Sequence, residues 1–227
     1  MEKKRDSDRS TKHSKPSPAN KVHVAIDFET YDLDLWWTFG VTVSRYPEGS
    51  IEERFEIGVD RSAHPIATEE IRQFWARHPE AFQKNLELGS HHPEIAVAEK
   101  KIAQYIDGLK KRFPDFFLIS DSPAFDVRLL DNLLARQQAS GICFRASGYL
   151  PCICVWSHRL ALMQILGIHS MNTVSMDQYR QKREIELNCA GTTTIPHTPL
   201  SDTCLITRSY FWAKDLIRFY RTSPHRQ

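Results

Sequence analysis

The spacing of apolar residues changes once along the chain, from strand-like to helical. Residues 22–28 (VHVAIDF) form a β-branched-rich run that predicts a buried strand. Trp37 to Tyr46 reads as a second strand, Pro47-Glu48-Gly49-Ser50 as a turn, and Ile51 to Val59, which alternates in part, as a third strand. Together they predict an antiparallel meander with Asp27 and Glu29 at the end of its first strand. Beyond Thr68 the spacing becomes helical. Thr68 reads as an N-cap followed by Glu69 and Glu70, which suit a helix N-terminus, and Ile71, Phe74 and Trp75 fall on one face. Further helices are expected over Pro79–Leu88 and Glu94–Phe113, the latter with Ile95, Ala98, Ile102, Ile106 and Leu109 as its apolar stripe. Phe116–Ser120 (FFLIS) predicts a short buried strand. A helix from Pro123 follows, carrying Phe125, Leu129, Leu130 and Leu133.

The stretch 140–155 has no readable period. Val155–Leu166 reads as a helix ended by Gly167 and Ser175–Leu187 as a very polar helix. Asn188–Pro196 reads as loop, and Pro199 as the first turn of a helix that runs to about Tyr220. No internal repeat is present. Three strands, helices, a strand and then helix-rich sequence make an α/β layer fold, not a sandwich or a bundle.

Composition divides the chain in two. Residues 1–20 carry almost no apolar side chains and are expected to be a disordered basic tail, because such a segment cannot bury enough surface to offset its ordering entropy. The folded domain is expected over 21–222. Residues 1–21 hold seven basic and three acidic side chains, a net +4, which leaves −2 on the rest of a chain whose total is +2. The body is therefore not a general polyanion binder, and nucleic-acid affinity there needs a local patch or cations on an acidic cluster. The tail reads as solubilising; a weak phosphate-binding arm or a nuclear address around Lys3-Lys4-Arg5 are the sharper readings.

No run of about 18 apolar residues exists, and the first residues are too polar for a signal peptide, so an intracellular, cytoplasmic protein is expected, with the nucleus open to it through the basic tail. The five cysteines (Cys143, Cys152, Cys154, Cys189, Cys204) are an odd number and do not suggest a disulfide framework. Cys152-x-Cys154 is too closely spaced for the usual zinc pair and has no second pair to match.

Candidate chemistry lies in the acidic residues. Asp27 and Glu29 are two apart on a predicted strand and so share a face. Two carboxylates at the end of an apolar strand repel unless a cation neutralises them, and their oxygens suit hard Mg²⁺ or Mn²⁺. Asp126 lies near the start of a predicted helix, where the helix dipole alone would explain a carboxylate. Asp121 and Asp131 compete for its role: Asp121 reads as a cap for the helix that follows, and Asp131 as facing elsewhere. His197 and Asp202 are separated by four residues. Asp202 is expected in the first turn of the last helix, with His197 on the preceding loop, where a neutral imidazole can take a proton from a bound water. Among aromatic residues, Phe28 should point away from the two carboxylates by strand alternation. Of Trp36 and Trp37, one is expected inside and the other free to stack on a base. Trp75 is expected in its helix core or at the edge of the site. Phe28, Trp37 and Trp75 are the substrate-contact candidates.

These motifs give the chain a family likeness. Asp27-Phe28-Glu29, Phe74-Trp75, Phe125-Asp126 and His197-x4-Asp202, in that order, resemble the DEDDh 3′–5′ exonucleases of the ribonuclease H-like superfamily, and within it a group of phage and bacterial exonucleases. The resemblance covers roughly residues 22–215, about one domain length. Three departures stand out: Ser120-Asp121-Ser122-Pro123-Ala124 replaces an Asn-Gly-bearing stretch before Phe-Asp, Pro199 replaces an alanine two residues after the histidine, and a small polar or charged motif before the final loop is blurred in CICVWSHRL (152–160).

The resemblance implies a ribonuclease H-like layer fold with a mixed sheet, its first three strands antiparallel and flanked by helices. It implies that Asp27, Glu29, Asp126 and Asp202 hold two Mg²⁺ or Mn²⁺ ions and that His197 is the general base. The expected partner is the 3′ end of single-stranded RNA or DNA, with nucleoside 5′-monophosphates as products. Oligomeric state is open, a homodimer included. The altered residues around Asp126 and His197 motivate a second reading, a catalytically weakened nucleic-acid-binding or scaffold protein on the same fold.

Overall fold

The structure, a computed structural model, describes residues 22–32, 35–45, 49–62, 66, 68–92, 94–114, 116–137, 152–155, 157, 158, 161, 195 and 197–222. Five strands, β1 (Val22–Asp32), β2 (Leu35–Arg45), β3 (Ile51–Gly58), β4 (Phe117–Ser120) and β5 (Cys152–Cys154), form one sheet in the order β3-β2-β1-β4-β5. β1, β2 and β3 pair antiparallel, as the apolar pattern predicts; β4 pairs parallel with β1, and β5 parallel with β4. Among the described residues the helices with bounds at both ends are α1 (Glu69–Arg77), α2 (Pro79–Ser90), α3 (Ile95–Arg112), α4 (Pro123–Arg136) and α5 (Pro199–Thr222). The result is the expected α/β fold, a mixed sheet flanked by helices. Among the described residues, no helix is long and apolar enough to cross a membrane.

Alternation along β1 assigns its two faces. Val22, Val24, Ile26 and Phe28 join Phe39, Val41 and Ile57 of β2 and β3 in a core with Ala98, Ile102, Ile106 and Leu109 of α3 and Leu129, Leu130, Leu133 and Leu134 of α4. Each fully buried Ile, Leu or Phe in that layer stabilises the fold by about 1.5–3 kcal/mol. Ile95 is an exception to the expected α3 stripe: at the first position of the helix it is 40 % exposed. The odd positions of β1 look the other way. His23 and Ala25 meet α5 through Tyr210, Phe211 and Ile206, and Asp27 and Glu29 continue that face.

β2 is built to receive α5. On its side facing the helix stand Thr38, Gly40, Thr42 and Ser44, all buried and small. The Thr42 hydroxyl bonds the Thr203 carbonyl (3.2 Å) and the Thr207 hydroxyl (2.8 Å), pinning α5 to the sheet centre. Gly40 touches the backbone of Pro199, the first residue of α5; a Cβ on Gly40 would lie 2.4 Å from the Pro199 carbonyl carbon and oxygen.

β1 and β2 extend further than their apolar runs suggest. β1 continues past the two carboxylates to Asp32, with register irregularities after Glu29 and after Thr30. Asp27 and Glu29 are thus inside the strand, not at its end. They are nonetheless at an edge, because β4 pairs with β1 only through Ala25. The three-residue β5 occupies the stretch that had no readable period. Val155, Ser157, His158 and Ala161 are helical, as expected for the segment after it. The basic tail 1–20, the expected end of that helix at Gly167, the polar helix 175–187 and most of the loop 188–196 lie outside the described residues.

Candidate functional site

The site forms where β4 stops covering β1. Past Ala25 the β4 side of β1 has no strand partner, and the Phe28 N–H donates instead to Asp126 Oδ1 (3.1 Å). Asp126 stands in the first turn of α4, 1 % exposed, and its Oδ2 accepts from the Ser120 hydroxyl at the end of β4. The carboxylate thus completes the hydrogen bonding of an unfinished sheet edge while facing Asp27. That is a more specific task than favouring a helix dipole.

Asp202 arrives from the opposite side, in the first turn of α5, and its Oδ2 accepts from the His197 N–H (3.0 Å). His197 has φ 63°, a left-handed conformation uncommon for a residue with a Cβ. Two bonds hold it there: the one to Asp202, and one from Asn85 Nδ2 of α2 to the His197 carbonyl (2.9 Å). Asn85 is fully buried, and its Oδ1 accepts from the Thr38 hydroxyl of β2 (3.1 Å). Thr38 is the cross-strand partner of Glu29. A continuous chain of contacts therefore links the Glu29 position on β1, through β2 and α2, to the histidine loop. The imidazole itself lies against Phe74 (ring centroids 4.9 Å) and His78 (4.3 Å).

Two triads result. Glu29, His197 and Asp202 each offer one ligand atom within 4.8 Å of the others, and so do Asp27, Asp121 and Asp126. The structure thus brings Asp27, Glu29, Asp126, His197 and Asp202 together and adds Asp121, for which the sequence alone suggests a helix cap. The N-cap of α4 is Ser122, whose own side chain makes no capping bond.

Crowding of carboxylates in a buried place is visible in their protonation. Burial first, then the charges of Glu29, Asp126, Asp202 and Asp121, hold the Asp27 carboxyl well above its ordinary range. Glu29 is raised well above its own, by burial and then by Asp202. Burial pushes Asp126 up to about 7 against the opposing bonds from Ser120 and Phe28, and Asp202 up to about 6. Asp27 is 8 % exposed and its Oδ2 has no hydrogen-bond partner. A buried carboxylate oxygen without a donor, among other acids, fits a divalent cation with oxygen ligands, Mg²⁺ or Mn²⁺. His197 moves the other way: burial, then the neighbouring His78, lowers it below its ordinary value, so its imidazole is neutral and able to accept a proton at neutral pH.

The aromatic candidates require correction. Trp37 is fully buried between Tyr31, Trp75 and Phe82, with ring centroids at 4.9, 5.3 and 5.2 Å. Trp75 is 4 % exposed in the same cluster, and Phe28, 5 % exposed, packs on Phe39 at 4.3 Å. None offers a face to a base. Trp36 is buried as well, its indole N–H donating to Glu99 (3.3 Å). The reason is the position of β2, a central strand covered by helices on both sides, so neither of its adjacent tryptophans reaches solvent. Among the described residues, a half-buried aromatic ring that borders the site is Phe74, one residue before Trp75.

Asn85 gives a first expected result. Asn85→Ala removes the donor to the His197 carbonyl and the acceptor for Thr38 in one step. It should lower the unfolding free energy by about 1–3 kcal/mol, the cost of leaving buried polar groups unpaired. Urea unfolding measures this, and a loss below about 0.5 kcal/mol, the level of an ordinary surface change, would mean that water replaces the amide.

No family model matches the sequence, and no curated protein matches it either. Among solved structures, the chain is similar to a full-length 3′-exonuclease (13 % identity, TM-score 0.47, covering 87 % of this chain and 82 % of that one). It is also similar to a 3′-exonuclease described by its 3′-end specific recognition of a histone mRNA stem-loop (12 % identity, TM-score 0.43, covering 88 % and 81 %).

Proposed function

We propose that the protein is a metal-dependent 3′–5′ exonuclease that hydrolyses the terminal phosphodiester of RNA or single-stranded DNA and releases nucleoside 5′-monophosphates. The observation that carries this reading is the convergence of Asp27, Glu29, Asp126, His197 and Asp202, from three distant segments, at one sheet edge, with a buried Asp27 oxygen that lacks a partner. Two divalent ions in this cluster would activate a water and stabilise the attacking and leaving oxygens of an in-line displacement. Asp27, Glu29, Asp126 and Asp202 supply the oxygen ligands. The neutral imidazole of His197 accepts the proton of the attacking water. The His197 backbone, held by Asp202 and Asn85, keeps the imidazole over the cluster. Phe74, half-buried beside that imidazole, is placed to border the 3′-terminal nucleotide, while Trp37 and Trp75 are buried away from it.

Digestion of matched 5′-labelled RNA and DNA oligonucleotides, with free and blocked 3′ ends, tests the proposal. Stepwise shortening from a free 3′ end that requires Mg²⁺ or Mn²⁺ and stops at a block is expected. Salt-sensitive binding without shortening would favour the scaffold reading instead. His197→Ala should slow turnover by about 10²–10⁴-fold, the usual contribution of a general base, with Mn²⁺ affinity much less affected; an unchanged pH–rate profile would remove His197 from proton transfer.

The protonation of the cluster sets an expected stability profile. Asp126 and Asp202 have folded-state values raised to about 7 and about 6, above those of an unfolded chain. The folded state therefore binds protons more tightly, and the stability these groups contribute is full below about pH 4 and is lost as pH rises through 6 to 7. In EDTA the melting temperature should fall across that window. Millimolar Mg²⁺ should flatten the fall and raise the melting temperature at pH 7.5, because an ion that binds only the folded chain stabilises it. Identical melts with and without metal would leave the cluster without its cation.

A further inference from the structure

Asp121 is the carboxylate that the four-acid scheme leaves out. It is the first residue after β4, half-buried, and one of its carboxylate oxygens lies within 4.8 Å of one oxygen each of Asp27 and Asp126, which are as close to each other. Acidic clusters on protein surfaces are common without an ion. Here a second observation separates this one: the more than nine-tenths buried Asp27 carries an oxygen, Oδ2, with no hydrogen-bond partner. Burying an unpaired carboxylate oxygen beside two more acids is costly unless a cation is shared among them.

The division of labour within the triad points the same way. Asp126 already uses Oδ1 to accept from the Phe28 N–H and Oδ2 to accept from Ser120, so each of its oxygens has only its remaining lone pair to offer. Ser122 and not Asp121 is the N-cap residue of α4; the Asp121 carboxylate accepts from the Ser122 backbone N–H and keeps its remaining lone pairs for a cation. Its charge also acts on all four of the other carboxylates.

We infer that Asp121 is a direct ligand of one of two divalent ions, held with Asp27 and Asp126, while Glu29 and Asp202 hold the other. This rests on the two-ion reading above and adds a fifth carboxylate to it. Asp121 stands within the stretch where the chain departs from the Asn-Gly pattern of the family it resembles, so the departure becomes a second-ion ligand and not a sign of lost function.

The test is calorimetric titration of the full chain with Mn²⁺ alone, with no nucleic acid present, for the wild type, Asp121→Asn and the exposed α1 control Glu70→Gln, together with melts in EDTA. The wild type and Glu70→Gln should take up two ions. Asp121→Asn should weaken one of the two by at least about tenfold, the lower end of what loss of even an indirect metal contact costs. In EDTA, Asp121→Asn should melt at or above the wild-type temperature, because a like charge has been removed from the cluster, and Mn²⁺ should raise its melting temperature less. Two ions bound by Asp121→Asn with wild-type affinity would overturn the assignment while leaving the two-ion reading intact. A lower melting temperature in EDTA would identify Asp121 as structural and overturn it too. A wild type that binds no Mn²⁺ would overturn both readings.

Discussion

Asp27→Asn should reduce 3′-end hydrolysis by at least about 10³-fold, equivalent to about 4 kcal/mol of barrier, while the metal-free protein folds as well as the wild type or better. The two halves of this expectation come from the same fact. Asp27 is strongly opposed: burial first, then Glu29, Asp126, Asp202 and Asp121, hold its carboxyl well above its ordinary range. In the absence of a cation its charge is a liability, and an amide of the same shape removes it. With a cation the balance reverses, because Asp27 belongs to the triad on one side and adjoins Glu29 of the other triad along β1. Asp202→Asn should lose activity to a similar degree but gain less stability, since the Asp202 carboxylate has a donor in the His197 N–H. Single-turnover cleavage of a labelled oligonucleotide and thermal melts in EDTA check both. Normal turnover by either variant would remove that residue from the chemistry. A markedly lower melting temperature for Asp27→Asn in EDTA would mean that its carboxylate is satisfied within the protein.

Much of this site was legible because its parts obey short-range rules. The i, i+2 spacing of Asp27 and Glu29 on a β-branched run fixes their common face, and Pro199 marks the start of a helix whose first turn carries Asp202. The β1–β3 meander and α1–α4 follow from apolar period in the same way, while the expected cap Thr68 stands at the N-cap of α1 without a side-chain capping bond. What the sequence hid depends on long-range contacts. β5 is three residues long, too short for a period, and is a strand only because it pairs with β4. Asp121 had a sufficient local explanation as a cap, and only the approach of β1 supplies the competing one. Asn85 lies four residues from both Ala81 and Gly89 on the buried stripe of α2. A polar residue at that spacing was the available signal that a buried amide has a specific partner. Trp37 misled because nearness to the site in sequence does not decide which layer a side chain enters. The alternation of Thr38, Gly40, Thr42 and Ser44 with Phe39, Val41 and Val43 shows that the small residues take the α5 face of β2 and the large ones the α3–α4 core.

That alternation makes Gly40→Ala the sharpest test of how the site is assembled. Gly40 pairs with Asp27 across β1 and β2, and α5 begins directly on top of it. An added Cβ would lie 2.4 Å from the Pro199 carbonyl carbon and oxygen and 2.8 Å from its Cβ. Two of those three atoms are backbone, so no side-chain rotation relieves the overlap, and the start of α5 must move by about 1 Å to restore an ordinary carbon–carbon contact of 3.5–4.0 Å. Asp202 and His197 move with it, while Asp27 and Glu29 stay on the sheet. A misplacement of about 1 Å between catalytic groups costs on the order of 10²-fold in rate, and Mn²⁺ affinity should fall in parallel because the ligands on α5 part from those on β1. Overpacking should also lower stability by about 1–3 kcal/mol, more than the gain of about 0.4–1 kcal/mol that alanine brings by restricting the unfolded chain. Gly108→Ala in α3 provides the contrast, because nothing lies within 4 Å of a Cβ there. That change should stabilise the helix by about 0.5–1 kcal/mol and leave cleavage untouched. If Gly40→Ala cleaves and binds Mn²⁺ like the wild type, the seat of α5 on β2 is not what sets the distance between the two halves of the site.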